Sequence, residues 1–270
     1  MLFWRKDGTQ MGVYNPEFKR LANQQQIPIC EVLGVRIAAV DMPWLLEFTL
    51  RNIRELSGDY MCVANVHTTV TAWENENYRN VQNGGIMAIP DGAPLCYEGK
   101  RRGFEGIQRT TGPDYMERIF ELSLQKGYRH YFYGSSQETL DKVRKKLEEK
   151  YPGLCIAGMY SPPYRQLTEE EKQVDLQRIN EAKADFIWVG LGAPKQELWM
   201  ADHQGKVNGF MVGVGAAFDF FAENIKRAPK WMQVCCLEWF YRLLQDPGRL
   251  FARYWHSNTR FIYHAIIRRR

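Results

Sequence analysis

The 270-residue chain is 45% hydrophobic and 13% aromatic, apolar enough to build a large core, which excludes a disordered or fibrous protein. No stretch approaches the ~18 uninterrupted apolar residues of a membrane span, and the N-terminal MLFWRKDGTQMGVYNPEF has neither the apolar core nor the cleavage site of a secretory signal. The net charge of +5 is unevenly placed: residues 226–270 carry ten Lys/Arg against Glu238 and Asp246, a net +8 that leaves the first 225 residues at −3 and points to an anionic partner surface, nucleic acid or membrane.

Residues 1–25 are polar and aperiodic, a leader ahead of the fold. Ile29 to Ile37 holds two short β-like runs around Gly34, and Asp41 is placed to cap a helix in which Trp44, Leu45, Phe48 and Ile53 recur at helical spacing. Tyr60 to Val63 is a short apolar run followed by a helix-like stretch to about Val81. The next strand, Gly85 to Ile89, is stopped by Pro90-Asp91-Gly92, because proline fixes φ and donates nothing to a ladder. A loop punctuated by Gly99, Gly103, Gly106 and Gly112 precedes a helix from Asp114 to Gln125.

Tyr128 to Tyr133 reads as a strand, and Gly134-Ser135-Ser136 caps a helix from Gln137 to Lys150. After a strand at Leu154 to Gly158, Thr168 and Glu171 form a capping box for a charged helix to Ala182. Asp185 to Val189 runs into Gly190-Leu-Gly-Ala-Pro194, and Gly209 to Val214 runs into Gly215. Strand, glycine turn and helix in repetition predict an α/β fold, a doubly wound parallel sheet wrapped by helices. The chain divides into the leader 1–25, a core 26–225 and a basic, aromatic appendage 226–270. Six cysteines without CxxC spacing read as buried thiols, and five histidines show no ligand spacing.

Four loops at the carboxyl ends of strands carry polar residues beyond the needs of a turn. Asn65 follows the Tyr60 run, where it serves equally well as a helix N-cap. Asp91 is held just past a buried strand, where open α/β sheets place their ligands; an isolated turn aspartate is the ordinary explanation, and the company of the other loops argues against it. Gly192-Ala-Pro-Lys-Gln196-Glu197 opens a short helix whose N-terminus suits a diphosphate, or is simply capped. Gly213-Val-Gly215 invites a dinucleotide reading, but the third glycine and the acidic ribose partner are missing. There is no GxxxxGK[ST], HExxH or GxSxG, and no DxD for a divalent metal.

Taken together, Asn65, Pro90-Asp91-Gly92, Arg109 with Gly112 and Asp114, Gly190-x-Gly-x-Pro-x-Gln196-Glu197, Gly213-x-Gly, Arg227-Ala-Pro229, Glu238-Trp239 and Arg242-Leu243 resemble the WecG/TagA/CpsF glycosyltransferases over roughly residues 30–255. The resemblance implies a Rossmann-like core with a C-terminal helical, membrane-associating appendage. It implies an inverting transfer of a sugar, N-acetylmannosamine in the best-known members, from a UDP-sugar to a polyprenyl-diphosphate-linked sugar. Cell-surface polysaccharide or teichoic acid synthesis at the inner face of the cell membrane is the implied setting, with a different UDP-hexose donor as the alternative. No metal or other cofactor is expected, and a homo-oligomer is allowed.

By the same resemblance Asp91 is the general base. Val63, Asn65, Arg109 and Gln196 line the pocket, and Glu197, Gly213, Gly215 and Arg227 belong to the binding motifs. Arg242, Arg249 and Arg253 reach the acceptor diphosphate. Val63 stands where the family has threonine, and the lost hydroxyl removes one hydrogen bond to the donor. From Trp231 on, nine aromatics interleave with the arginines, a pattern suited to a helix lying among lipid headgroups or to packing on the core. The rival classes are a nucleic-acid-binding protein, motivated by that basic aromatic tail, and a dinucleotide oxidoreductase, motivated by Gly213-Val-Gly215.

Overall fold

Leu33 and Gly34, both with positive φ (51° and 79°), turn the chain between β1 (Ile29–Val32) and β2 (Val35–Ala38). So short a turn joins only antiparallel neighbours, and β1 pairs antiparallel with β2, Cys30 opposite Ile37. The parallel sheet expected from the sequence thus carries one antiparallel strand at its edge. The computed structural model describes residues 27–229, 231–232 and 237–268; the leader reading and Cys235 and Cys236 lie outside them.

The other strands are β3 (Tyr60–Ala64), β4 (Met87–Pro90), β5 (Arg129–Gly134), β6 (Cys155–Tyr160), β7 (Phe186–Gly190) and β8 (Phe210–Gly213). Among the described residues they form one eight-stranded sheet in the order β1-β2-β4-β3-β8-β7-β5-β6. From β2 onward every pairing is parallel. All the connecting loops that follow these strands therefore emerge at one edge.

Side chains alternate along each strand, so each strand supplies two cores. Tyr60, Cys62 and Ala64 face one core with Tyr131, Tyr133, Ile187 and Val189. Met61, Val63, Ile89, Phe132, Trp188 and Val212 face the other. The first core is covered by α2 (Val66–Glu74), α3 (Glu76–Gly84), α7 (Glu169–Glu181) and α8 (Lys195–Asp202), the second by α1 (Met42–Asn52), α5 (Gly112–Lys126), α6 (Gln137–Lys150) and α9 (Ala217–Phe221). Neighbouring β3 and β8 send their helices to opposite faces, which opens the crevice in which doubly wound sheets bind ligands.

Asp41, Ser136 and the Thr168/Glu171 box cap α1, α6 and α7 as expected. The helix expected to run to Val81 is two, because the Asn75 side chain caps α3 by accepting from Tyr78 N at 3.0 Å. The loop expected after Asp91 contains a helix, α4 (Ala93–Arg101), started by Pro94 in its first turn. Gly99 sits within it because a Cβ there would lie 2.7 Å from Ile107 Cδ1; the glycine marks close packing, not a loop. Beyond the sheet, α10 (Glu238–Gln245) and α11 (Pro247–Phe261) are followed by a π-helical turn, Ile262–Ile267. Phe261 and Ala265 are buried in the first core. Among the described residues no helix is long and apolar enough to cross a membrane.

Candidate active site

The carboxyl ends of β3 and β4 place the first two candidates side by side. Asp91 N donates to Ala64 O at 2.8 Å, so the proline turn is pinned next to Asn65. Asn65 is the N-cap of α2, its Oδ1 accepting from Thr68 N at 3.1 Å while its own N donates to Thr68 Oγ1 at 2.9 Å. The capping role foreseen for it is real, and it also lines the cleft. Val63, Asn65, Asp91, Arg109, Gln196, Gly215, Arg227, Arg242 and Arg253 share the wall of one cavity of about 2470 Å³. That is well beyond the ~300–1,000 Å³ of a single small-molecule pocket, and leaves room for two substrates. Val63 contributes at the rim of the second core, so its methyls are as much packing as binding surface.

Asp91 lies at the electrostatic centre of the cleft. Arg109 Nε donates to Asp91 O at 3.0 Å, and its Nη2 stands 3.8 Å from Asp91 Oδ1. The same Nη2 donates to Glu238 Oε2 of α10. The Asp91 side chain keeps 29% of its surface open, against 25% for Arg109 and 15% for Glu238. Burial pushes the Asp91 pKa up to about 6; Arg109 and Arg242 hold it down, and Glu238 and Asp114 push it further up. A carboxylate so placed is ionised at neutral pH yet a stronger base than an exposed one. Arg227 pairs with Asp114 at 2.5 Å, fixing the start of α5 beside it.

The opposite wall is the α8 N-terminus. Gln196 is buried, its Oε1 accepting from Gly215 N at 3.0 Å and its Nε2 donating to Glu197 Oε1 at 2.8 Å. It ties α8 to the turn after β8. Glu197 is fully buried behind the wall, not in it, and burial pushes its pKa up to about 7 against the Gln196 amide, its own backbone N–H and the Tyr78 hydroxyl. Gly213 likewise stands behind the wall: a Cβ there would meet Met200 Cε at 2.7 Å. Gly215 takes φ +55° to present its N–H to Gln196. Gly213 serves helix packing and Gly215 the tie to Gln196, and the dinucleotide reading loses its cradle.

The C-terminal helices roof the cleft. Gln245 exchanges hydrogen bonds with the Lys226 backbone (3.2 and 3.1 Å), and Arg242 lies over the Phe220 ring at 5.5 Å. α11 is tied to α2 by His67 Nδ1 and Ser257 Oγ (3.1 Å) and by Arg260 to Glu74 (2.8 Å). The His67 pKa falls to about 4, by burial and the nearby charges of Arg253 and His256, so this link is neutral at physiological pH. Arg253 is exposed on the roof, and the Arg249 side chain lies outside the described set. Leu244, Phe251, Trp255 and Ile262 are exposed, the last three along the cavity wall, with Phe251 and Trp255 stacked at 6.3 Å. Of the aromatics in this segment, Phe261 is the one fully buried among the described residues.

Sequence reasoning quoted Glu238 and Asp114 within motifs but gave neither a role. The Arg109–Glu238 pair spans 129 residues, and no local pattern announces it. Cys30, Cys62, Cys96 and Cys155 are thiols outside any disulfide, the first three buried. Among the described residues no group of three or more His, Cys, Asp or Glu is placed to hold a metal ion.

Two relatives carry the name N-acetylglucosaminyldiphosphoundecaprenol N-acetyl-beta-D-mannosaminyltransferase. One is from Bacillus subtilis (strain 168), 29% identical over 193 residues, which is 71% of this chain and 73% of the relative. The other is from Bacillus spizizenii (strain ATCC 23059 / NRRL B-14472 / W23), 30% identical over the same shares of each chain. The family model described as "Glycosyl transferase WecG/TagA/CpsF family" matches residues 30–270. The chain belongs to the WecG/TagA/CpsF family of glycosyltransferases.

Proposed function

We propose that this glycosyltransferase moves a sugar, N-acetylmannosamine first among candidates, from a UDP-sugar to a polyprenyl-diphosphate-linked sugar such as undecaprenyl-diphosphate-GlcNAc, with inversion. The observation that carries the reading is Asp91: a carboxylate at the end of β4, on the floor of a cleft large enough for both substrates, with a pKa pushed up to about 6. The acceptor hydroxyl attacks the anomeric carbon as its proton passes to Asp91. The bond from that carbon to the leaving oxygen breaks, and its electron pair goes to the β-phosphate of UDP. Arg109 and the α8 N-terminus at Gln196 stand where that charge develops. No metal is assigned to the reaction; the arginines carry the counter-charge.

Arg242 and Arg253, at the roof, suit the acceptor diphosphate, and the exposed Leu244, Phe251, Trp255 and Ile262 suit the headgroup region of a membrane. On this reading the enzyme works at the inner membrane face as a peripheral protein, in a cell-surface polymer pathway. Val63 in place of threonine is the position at which donor choice would differ. The test is a transfer assay with a polyprenyl-diphosphate-GlcNAc analogue and a panel of UDP-sugars, with and without EDTA, scored by UDP release and product mass. Product with UDP-N-acetylmannosamine in EDTA is expected; product with a different donor alone moves the donor assignment to Val63 and its neighbours. No product with any donor or any lipid-diphosphate acceptor overturns the reading.

A further inference from the structure

Arg109 is built as a lever. Its Nε donates to the Asp91 carbonyl at 3.0 Å, which sets Nη2 between two carboxylates. It donates to Glu238 Oε2, while Asp91 Oδ1 is 3.8 Å away, beyond hydrogen-bond reach. We propose that Glu238, delivered into the cleft by the C-terminal helices, is a positioning residue that holds the Arg109 guanidinium off the Asp91 carboxylate. Without the Glu238 charge, a planar fork already anchored beside Asp91 closes onto it as a paired salt bridge, the geometry arginine and carboxylate prefer. The oxygen that must accept the acceptor's proton is then occupied, and the base is weakened. This inference rests on Asp91 being the general base.

The charges facing Asp91 come from three elements: Arg109 from the loop before α5, Asp114 from the first turn of α5, and Glu238 and Arg242 from α10. Asp114 is itself held by Arg227. Arg109 and Arg242 favour the ionised form and Asp114 and Glu238 oppose it, so Glu238 acts on Asp91 twice, by direct repulsion and by engaging Arg109. Glu238→Gln, which keeps the shape, removes the repulsion and weakens the hold on Arg109 to a neutral hydrogen bond, and both changes move Asp91 the same way. The sign is fixed: its proton affinity falls.

The test combines a pH profile with a direct titration of the base. kcat/KM is measured across its acid limb for the wild type, Glu238→Gln and Glu238→Asp, and the Asp91 carboxyl is followed by NMR in protein labelled at aspartate Cγ, assigned by its loss in Asp91→Asn. In Glu238→Gln, the acid limb and the NMR midpoint are expected to fall together by about one pH unit. The plateau is expected to drop roughly threefold, as a Brønsted slope of about one half gives for a base weaker by that amount. Glu238→Asp, which keeps the charge, should restore most of the midpoint. A Glu238→Gln protein with lower activity at every pH but an unmoved Asp91 midpoint overturns the proposal, since Glu238 would then merely tie down the helices. Near-normal turnover in Asp91→Asn would instead overturn the base assignment, a result the NMR midpoint does not depend on.

Discussion

The two halves of the cleft are held together by different physics. The floor, Asn65, Asp91 and the Gln196–Gly215 tie, hangs from strands whose side chains are wholly buried: Cys62, Ile89, Trp188 and Val212 are each at 0% exposure. Displacing it means opening two cores. The roof, α10, α11 and the π-helical turn after them, buries Phe261, Leu250 and Ala265 and carries the polar links Arg109 to Glu238, Arg260 to Glu74, His67 to Ser257 and Gln245 to Lys226. Leu244, Phe251 and Trp255 stay exposed. A rigid base under a roof of mixed polar attachment allows one half to be exchanged, loosened or bound elsewhere while the other keeps its geometry.

The sharpest way to break that contrast is at Asp91. Asp91→Asn should lose turnover by about 10²–10⁴-fold, the usual worth of a general base, with UDP affinity in titration calorimetry nearly unchanged. The same variant should be more stable. The folded-state pKa of about 6 lies above the ordinary 3.8, so Asp91 costs the native state stability as pH rises from one value to the other and at all higher pH. Removing the charge at pH 7 should return about 1–2 kcal/mol, a gain of roughly 2–8 °C in Tm, and nothing at a pH below the unfolded value. A Tm gain of equal size at both pH values would mean that the charge is not its source.

Phe261→Ala comes next, at about 3–5 kcal/mol for a buried phenylalanine. If roof and floor are separable, that loss should appear as deprotected amides in α11 by hydrogen exchange, with those of β3 and β7 unaffected. Loss of protection throughout the sheet would join the two halves into one unit. Thr168→Ala, which removes the α7 cap beside the cavity wall at Leu167 and Glu169, should cost about 1 kcal/mol in denaturant unfolding. Arg260→Ala is the smallest effect, below about 1 kcal/mol for a pair this exposed. Salt should abolish what it contributes.

The floor was readable because its signals are local. The capping residues Asp41, Ser136 and Thr168, the proline turn at Asp91 and the apolar runs Tyr60–Val63 and Asp185–Val189 each act within a few residues, and burial and backbone bonding are decided there. The α4 helix was misread because Gly99 and Gly103 look like loop residues, whereas Gly99 answers to Ile107 packing across it. The resemblance counts Glu197 and Gly213 among the binding residues, whereas both stand behind the cavity wall, Glu197 bonded to Gln196 and Gly213 packed against Met200. The roof depends on charges meeting across more than a hundred residues, and such meetings leave no periodicity to find.

The sheet's last strand in sequence is also a central one. β8 lies between β3 and β7, so before residues 210–213 are made, β2-β4-β3 and β7-β5-β6 can exist only as two separate pieces. Each piece then exposes an apolar strand edge, along Tyr60–Ala64 and Phe186–Gly190, of the kind that pairs promiscuously. During synthesis the chain must therefore keep two sticky edges apart for most of its length and close them with four residues. A ribosome that stalls before residue 210 releases a chain with no half-active intermediate form, but with two templates for aggregation.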